Sequence, residues 1–188
     1  MAHIGLPAGL PGITAGFAFR PETAKPMREL AHVLLHTSGH EGFTSGEREL
    51  IASFVSSRNT CHFCQASHGA AATALHDGNG DVVAAVCADY RTAPISNRLK
   101  ALLAIAEQVQ IDGKRVTKEL VDRARAEGAT DLDIHDTVLI AAAFSMYNRY
   151  VDGLATVQPI DPGMYEQMGK HLAEKGYTTP SVRQPAEV

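Results

Sequence analysis

Two cysteines and a histidine lie close together in the stretch from Cys61 to His68. Two residues separate Cys61 from Cys64, and His68 follows four positions after Cys64. In a helix that turns about 100° per residue, the three side chains fall within about 60° of one another. A thiol pair cycles between dithiol and disulfide, and a histidine with a pKa near neutrality moves protons for it. The stretch therefore predicts a redox site.

The start of the predicted helix favours activation of a thiol. Asn59 or Thr60 is a natural N-cap, which puts Cys61 in the first helical turn. There the unpaired N–H groups and the helix dipole stabilise a thiolate, and can lower a cysteine pKa from about 8.5 to roughly 3.5–7.5. Phe63 turns to the opposite side of the helix and is expected in a core.

Two other uses of the cysteines stay open. A structural zinc site needs four ligands in a tetrahedral array, and Cys61, Cys64 and His68 supply three. No second CxxC motif completes the set. Cysteines also pack as small hydrophobic residues, but the spacing and the polar surroundings argue against that use here. Dithiol chemistry needs only the pair and a proton carrier, so it is the preferred interpretation.

Glu49 and Cys87 carry weaker signals when taken alone. Glu49 is expected to be a solvated charge on a helix face. Cys87 has no partner cysteine and lies in the apolar run 82–88, so it is expected to pack in the core.

Two further polar sets are expected to be structural. His32, His36 and His40 have i, i+4, i+8 spacing, which suggests a row of metal ligands along a helix. No HExxH pattern accompanies them, which favours solvated or helix-end positions.

Asn148, Arg149 and Asp152 interrupt an apolar helix. These polar residues should therefore be paired or line a cavity or a subunit boundary.

Composition excludes several classes of protein. The 188 residues are 45% hydrophobic, which suits one globular domain over residues 1–188. A net charge of −4 and a pI near 6.1 argue against a nucleic-acid surface. Three cysteines make no disulfide framework, and a CxxC motif in such a chain is typically catalytic or metal-binding in a reducing compartment. We find no signal-peptide pattern and no apolar run of roughly 18 residues, so a cytoplasmic protein away from membranes is expected.

The hydrophobic periodicity predicts an all-α protein. Residues 1–22 hold three prolines and are expected to form an extended arm, while 176–188 form a tail. The most hydrophobic helix, 131–154, is expected to be the central buried one. The predicted helices cover about 22–36, 44–58, 60–75, 81–88, 96–111, 118–127, 131–154 and 162–175.

The helix before the cysteines has two distinct faces. Thr44 and Glu47 form a capping-box pattern at its start. On the side away from its apolar residues, Glu49 is surrounded by the small residues Ala52, Ser53 and Ser56. Small side chains allow another helix to approach closely on that face.

The spacing Glu49, eleven residues, then Cys61-x-x-Cys64-x-x-x-His68 resembles the signature of the alkylhydroperoxidase AhpD-like superfamily, which includes the carboxymuconolactone decarboxylases. The longer context is similar to its uncharacterised peroxidase-related branch. The similar segments are GERELIASFVSSRNTCHFCQASHGAA, LKALLAIAEQV and ARAEGATDLDIHDTVLIAAAFSMYNRYVDGLA. The resemblance runs from the LPGI and RPETA segments to 176–177.

The resemblance implies an AhpD-like multi-helix bundle assembled as a homo-oligomer, either a trimer or a hexamer. In the family roles, Cys64 attacks a hydroperoxide and becomes a sulfenic acid, Cys61 resolves it as a disulfide, and Glu49 and His68 form the proton relay. No metal, flavin or other cofactor is implied. The reductant would be an external dithiol, either lipoyl-type or thioredoxin-like.

One position departs from the family pattern. The characterised peroxidases have a histidine just before the second cysteine, where this chain has Phe63. His62 is one position away, a rotation of about 100°, and does not substitute for it. The decarboxylases lack the cysteine pair, which disfavours that activity. We therefore predict a thiol-dependent peroxidase, with a non-catalytic redox sensor or a zinc-binding structural protein as the alternatives.

Overall fold

The computed structural model describes residues 2–36 and 42–178. These residues form nine α-helices and one turn of 3₁₀ helix, Gly113–Arg115, with no strand among them. The prediction of an all-α protein is confirmed. The helices are α1 (Ile13–Phe19), α2 (Pro21–Leu35), α3 (Ser45–Arg58), α4 (His62–Leu75), α5 (Gly80–Asp89), α6 (Asn97–Ile111), α7 (Lys118–Ala126), α8 (Asp131–Gly153) and α9 (Pro162–Lys175).

Helices α3 and α4 form the pair that carries the cysteines. The predicted capping box starts α3: the Glu47 N–H donates to Thr44 Oγ1 at 3.1 Å, and the Thr44 N–H donates to Glu47 Oε2 at 3.0 Å. The small face of α3 receives α4, as the Ser53 hydroxyl donates to the Gln65 carbonyl at 3.2 Å. The close approach that the small residues predict is therefore made by the cysteine helix itself.

In the turn between α3 and α4, the N-cap of α4 lies later in the sequence than predicted. Asn59 ends α3 and Cys61, not Asn59 or Thr60, is the N-cap of α4. Thr60 has a φ of 58°, and the N–H groups of Thr60 and Cys61 donate back to the carbonyls of Ser57 and Ser56. This is a Schellman arrangement, in which glycine usually takes the left-handed position. Such a backbone costs an L-residue roughly 1–2 kcal/mol, so the surrounding packing must hold the turn.

Helix α8 is the central element, as predicted. It starts at a second capping box, between Thr130 and Asp133. It packs against α1, α2, α3, α4, α6 and α7. Its buried residues include Phe144, Tyr147 and Asn148, so both apolar and polar side chains enter the interior from this helix.

The prediction of an extended arm over residues 1–22 is wrong for its second half. Residues 13–19 form α1, and α2 already begins at Pro21. A helix this short has little stability of its own, so tertiary packing must supply it. Ala15 and Phe17 are buried, and a Cβ at Gly16 would lie 2.5 Å from the Tyr150 hydroxyl. The glycine that disfavours a helix in the sequence is needed for this close packing.

The hydrophobic interior has two parts. A large cluster joins α2, α3, α5, α6, α7 and α8, and a small one surrounds the cysteines at the start of α4. The small cluster contains Cys61, Phe63, Cys64, Val151 and Tyr165. None of the helices in the described ranges has the length and apolar character needed to cross a membrane. His40, the third member of the predicted histidine set, and the chain beyond 178 lie outside those ranges.

Candidate active site

The two cysteines of the CxxC motif are free thiols in different settings. Cys61 precedes the first turn of α4 and is completely buried, whereas Cys64 lies in that turn and is 3% exposed. As the N-cap residue, Cys61 is the thiol nearest the unpaired N–H groups of the first turn, and a hydrogen bond from the Cys64 N–H acts to lower its pKa. Larger opposing contributions nevertheless raise the pKa of Cys61, so the thiol that the predicted cap selected for activation is not the more acidic one.

The pKa values of the pair move in opposite directions. A hydrogen bond from Cys61 lowers the pKa of the Cys64 thiol, and the charge of His68 and a hydrogen bond from Asn148 lower it further against the effect of burial. The same hydrogen bond to Cys64 raises the pKa of Cys61, as do burial and a hydrogen bond to Asp152. Cys64 is thus the more acidic thiol of the pair.

A chain of side-chain amides orients Asn148 toward Cys64. Gln110 Nε2 donates to Asn59 Oδ1 at 2.9 Å, and Asn59 Nδ2 donates to Asn148 Oδ1 at 2.8 Å. Asn148 Nδ2 in turn donates to Ser56 Oγ at 3.0 Å. Asn148 is fully buried, so its orientation is set by these partners and its remaining N–H serves the thiolate.

Asn148 and Asp152 are therefore part of the thiol environment, which satisfies the prediction that they should be paired or line a cavity. Arg149 is exposed, and its guanidinium donates to the Ser145 carbonyl at 2.8 Å. It takes no part in the thiol site.

Glu49 is not the solvated charge that its local sequence suggests. It is 2% exposed, and Oε2 lies 2.8 Å from His68 Nδ1. The Tyr177 hydroxyl donates to Oε1 and lies 3.2 Å from His68 Nδ1. An ionised carboxylate only accepts, so with Glu49 ionised the hydrogen in this contact lies on Nδ1 of His68. The three side chains form a buried hydrogen-bonded cluster.

Tyr177 was not found by reasoning from residue types, because its position after the last helix carries no local signal. Burial and then the charge of Glu49 raise the pKa of Tyr177 well above its ordinary value, so the hydroxyl keeps its proton. Its backbone N–H donates to His32 Nδ1 at 3.3 Å. This contact holds the segment after α9 against the end of α2.

A cavity of about 60 Å³ leads to Cys64 and His68. Cys61 and Glu49 are absent from its wall and lie behind those two residues. The rest of the wall is mainly apolar. Arg28 also lines it, and its guanidinium carbon lies 4.9 Å from the centre of the Phe17 ring. The wall consists of Ile13, Phe17, Met27, Arg28, Ala31, Phe63, Cys64, His68, Phe144, Tyr147 and Tyr177.

Phe63 is buried as predicted, but its ring also reaches the wall of the thiol cavity. It lies against Gly12, whose φ is 54° and where a Cβ would come within 2.2 Å of the ring. His62 is exposed, and its ring lies 5.9 Å from that of Tyr165. It lines a different pocket, so it does not replace the histidine that Phe63 displaces.

The remaining candidates lie apart from the thiol pair. Cys87 packs against the large cluster but is half-buried, 3.9 Å from the Ser53 hydroxyl. His32 and His36 are at the end of α2 with ring centroids 4.9 Å apart, which agrees with helix-end positions. In the part of the chain that is described, no group of three or more His, Cys, Asp or Glu side chains is arranged to hold a metal ion. The zinc alternative has no complete ligand set there.

Comparison with known proteins places this fold. No family model and no curated protein match the chain. Among solved structures, an uncharacterised peroxidase-related protein with an alkylhydroperoxidase AhpD core from Ralstonia eutropha JMP134 is 28% identical with a TM-score of 0.74, covering 87% of this chain and 83% of that one. An uncharacterised peroxidase-related protein from Silicibacter sp. TM1040 is 27% identical with a TM-score of 0.73, covering 83% and 78%.

A protein of unknown function from Agrobacterium tumefaciens, named as a candidate antioxidant-defence AhpD protein, shares the fold at 21% identity, with a TM-score of 0.65 and coverage of 78% and 97%. The all-α bundle is therefore an AhpD-like fold. The resemblance to the AhpD-like superfamily, predicted from the Glu49 to His68 spacing, and to its peroxidase-related branch, predicted from the longer sequence context, is confirmed.

Proposed function

We propose that this protein is a thiol-dependent peroxidase that reduces organic hydroperoxides with the Cys61–Cys64 pair. The observation that carries the proposal is the asymmetry of the two thiols. Cys64 has a lowered pKa and lines the cavity beside His68, whereas Cys61 is buried behind it with a raised pKa. A reactive thiolate that a substrate can reach, with a second thiol directly behind it, is what a dithiol peroxidase requires.

In the first step, the Cys64 thiolate attacks one peroxide oxygen. The S–O bond forms and the O–O bond breaks, so that the peroxide is reduced and Cys64 becomes a sulfenic acid. The alkoxide leaves as an alcohol with a proton that reaches it through His68. Glu49 stabilises the protonated form of His68, and Tyr177 holds Glu49 in place.

In the second step, Cys61 attacks the sulfur of Cys64. Oxidation of Cys64 removes the hydrogen bond that is the main cause of the raised pKa of Cys61, and Asp152 is positioned to accept the Cys61 proton and pass it to the departing oxygen. The S–S bond forms, the S–O bond breaks, and the oxygen leaves as water. An external dithiol then restores the pair by exchange. Because both sulfurs are buried, a slender lipoyl-type arm suits this site better than a thioredoxin-like protein.

The apolar wall of the cavity favours an organic hydroperoxide over hydrogen peroxide. Assembly as a trimer or hexamer and a cytoplasmic location stay predictions from the sequence. The same geometry with no turnover would make the protein a redox sensor.

The proposal is tested by mass spectrometry after one equivalent of an alkyl hydroperoxide, followed by steady-state turnover with a dithiol. We expect a Cys61–Cys64 disulfide and a turnover rate that falls to background in Cys64→Ser. Disulfide formation without turnover would favour the sensor, and an unmodified pair would contradict the peroxidase.

A further inference from the structure

The hydroxyl of Tyr165 is a buried polar group with no hydrogen-bond partner in the described residues. Tyr165 is 7% exposed and belongs to the small cluster that contains both cysteines. Buried hydroxyl groups are nearly always paired, and an unpaired one costs free energy. Such a group next to a reactive pair calls for an explanation.

The packing of α9 holds Tyr165 in this position. A Cβ at Gly169, one turn later on the same face, would lie 2.5 Å from the Ala70 backbone. The absence of a side chain at Gly169 therefore lets α9 approach α4 closely beside the CxxC turn. The ring of Tyr165 is further enclosed by Phe63, with centroids 6.1 Å apart. The hydroxyl has little freedom to move to another partner.

Tyr165 packs in the same buried cluster as both thiols. Burial, and then the electrostatic effect of the cysteine pair, raise the pKa of Tyr165, so the hydroxyl keeps its proton and remains a hydrogen-bond donor beside the thiols. Neither sulfur accepts its hydrogen in the dithiol state. An oxygen atom bonded to sulfur projects beyond it and is also a stronger acceptor than sulfur.

We propose that Tyr165 is the hydrogen-bond donor for the oxygen that the peroxide leaves on Cys64. This inference rests on the proposed function and adds a residue to its second step. During resolution the Cys61–Cys64 bond forms, the S–O bond of the sulfenic acid breaks, and the oxygen departs as water with the proton released by Cys61. Tyr165 stabilises the negative charge that develops on this oxygen.

The test compares Tyr165→Phe with the unchanged protein in single-turnover disulfide formation by two oxidants. An alkyl hydroperoxide places an oxygen on sulfur, whereas diamide forms the disulfide without one. We expect disulfide formation after the hydroperoxide to slow about tenfold in Tyr165→Phe, with no change for diamide. More sulfenic acid should also be trapped by dimedone. Tyr90→Phe, which removes a hydroxyl bound to Glu107 far from the thiols, is the matched control.

Thermal unfolding separates a structural role from the proposed one. Removing an unpaired buried hydroxyl should leave the melting temperature of Tyr165→Phe unchanged or raise it. Equal slowing with both oxidants, or no slowing with either, would overturn the role of Tyr165. If the unchanged protein forms its disulfide with diamide but not with the hydroperoxide, the proposed function fails, and the inference fails with it for that separate reason.

Discussion

On the His68 side of the thiol pair the polar atoms are paired, whereas on the Tyr165 side a buried hydroxyl is not. Both oxygens of Glu49 accept hydrogen bonds, one in contact with His68 and one from Tyr177. The Tyr165 hydroxyl has no such partner within the described ranges. A proton relay must be preorganised before the reaction, and the contacts of the proposed relay are already made in the resting protein. The proposed acceptor of the Tyr165 hydroxyl is an oxygen atom on the sulfur of Cys64, and this atom is present only after oxidation.

The largest expected effect is on the paired side. Glu49→Gln keeps the shape of the side chain but removes the charge that stabilises protonated His68. We expect oxidation of the thiols by an alkyl hydroperoxide to slow on the order of 10²-fold, within the usual range for proton-transfer catalysis. Stopped-flow measurement of thiol loss checks this. Glu47→Gln is the matched control, since glutamine also serves in a capping box. Equal rates for both variants would contradict a relay.

A smaller effect is expected from Tyr177→Phe, which removes the donor to Glu49 but leaves its charge. The rate of thiol oxidation should fall about tenfold, and the free energy of unfolding should fall by about 1–3 kcal/mol, because a charged acceptor loses its partner. Tyr90→Phe also removes a hydrogen bond between a tyrosine and a glutamate, and should leave the rate unchanged. If both variants lose only stability, the role of Tyr177 is limited to holding the segment after α9 in place.

The smallest effect on rate is expected at Asn148, which donates to Cys64. Asn148→Ala should raise the pKa of Cys64, since the hydrogen bond that favours the thiolate is lost. The reaction with hydroperoxide should slow a few-fold near neutral pH, and the difference should vanish at high pH where the thiolate forms in any case. The pH dependence of ultraviolet thiolate absorbance measures the shift.

The variant should also lose about 1–3 kcal/mol of unfolding free energy, because Ser56 and Asn59 lose a buried partner. Arg149→Ala, on the exposed face of the same helix, should change neither the pKa nor the rate. An unchanged thiolate titration in Asn148→Ala would remove Asn148 from the thiol environment.

Local signals determined most of the helices. The capping box at Thr44, the apolar periodicity and the glycine and proline stops act over a few residues, so the sequence alone carries them. They failed at residues 13–19, where a helix with an internal glycine is stabilised by packing against Tyr150. They also misplaced one cap, because the left-handed Thr60 depends on the turn into α4 and not on its own preference.

The sequence by itself also determined the core of the site, since Cys61, Cys64 and His68 are neighbours on one short segment. Glu49 was selected by family spacing, while its burial came only from the tertiary structure. Tyr177 meets Glu49 across 128 residues, and Tyr165 and Asn148 reach the thiols from other helices. No periodicity links residues so far apart, because their contact depends on how α8 and α9 pack on α3 and α4. The CxxC motif thus lies in one short segment of the sequence, whereas the different pKa values of its two thiols depend on the helices packed around it.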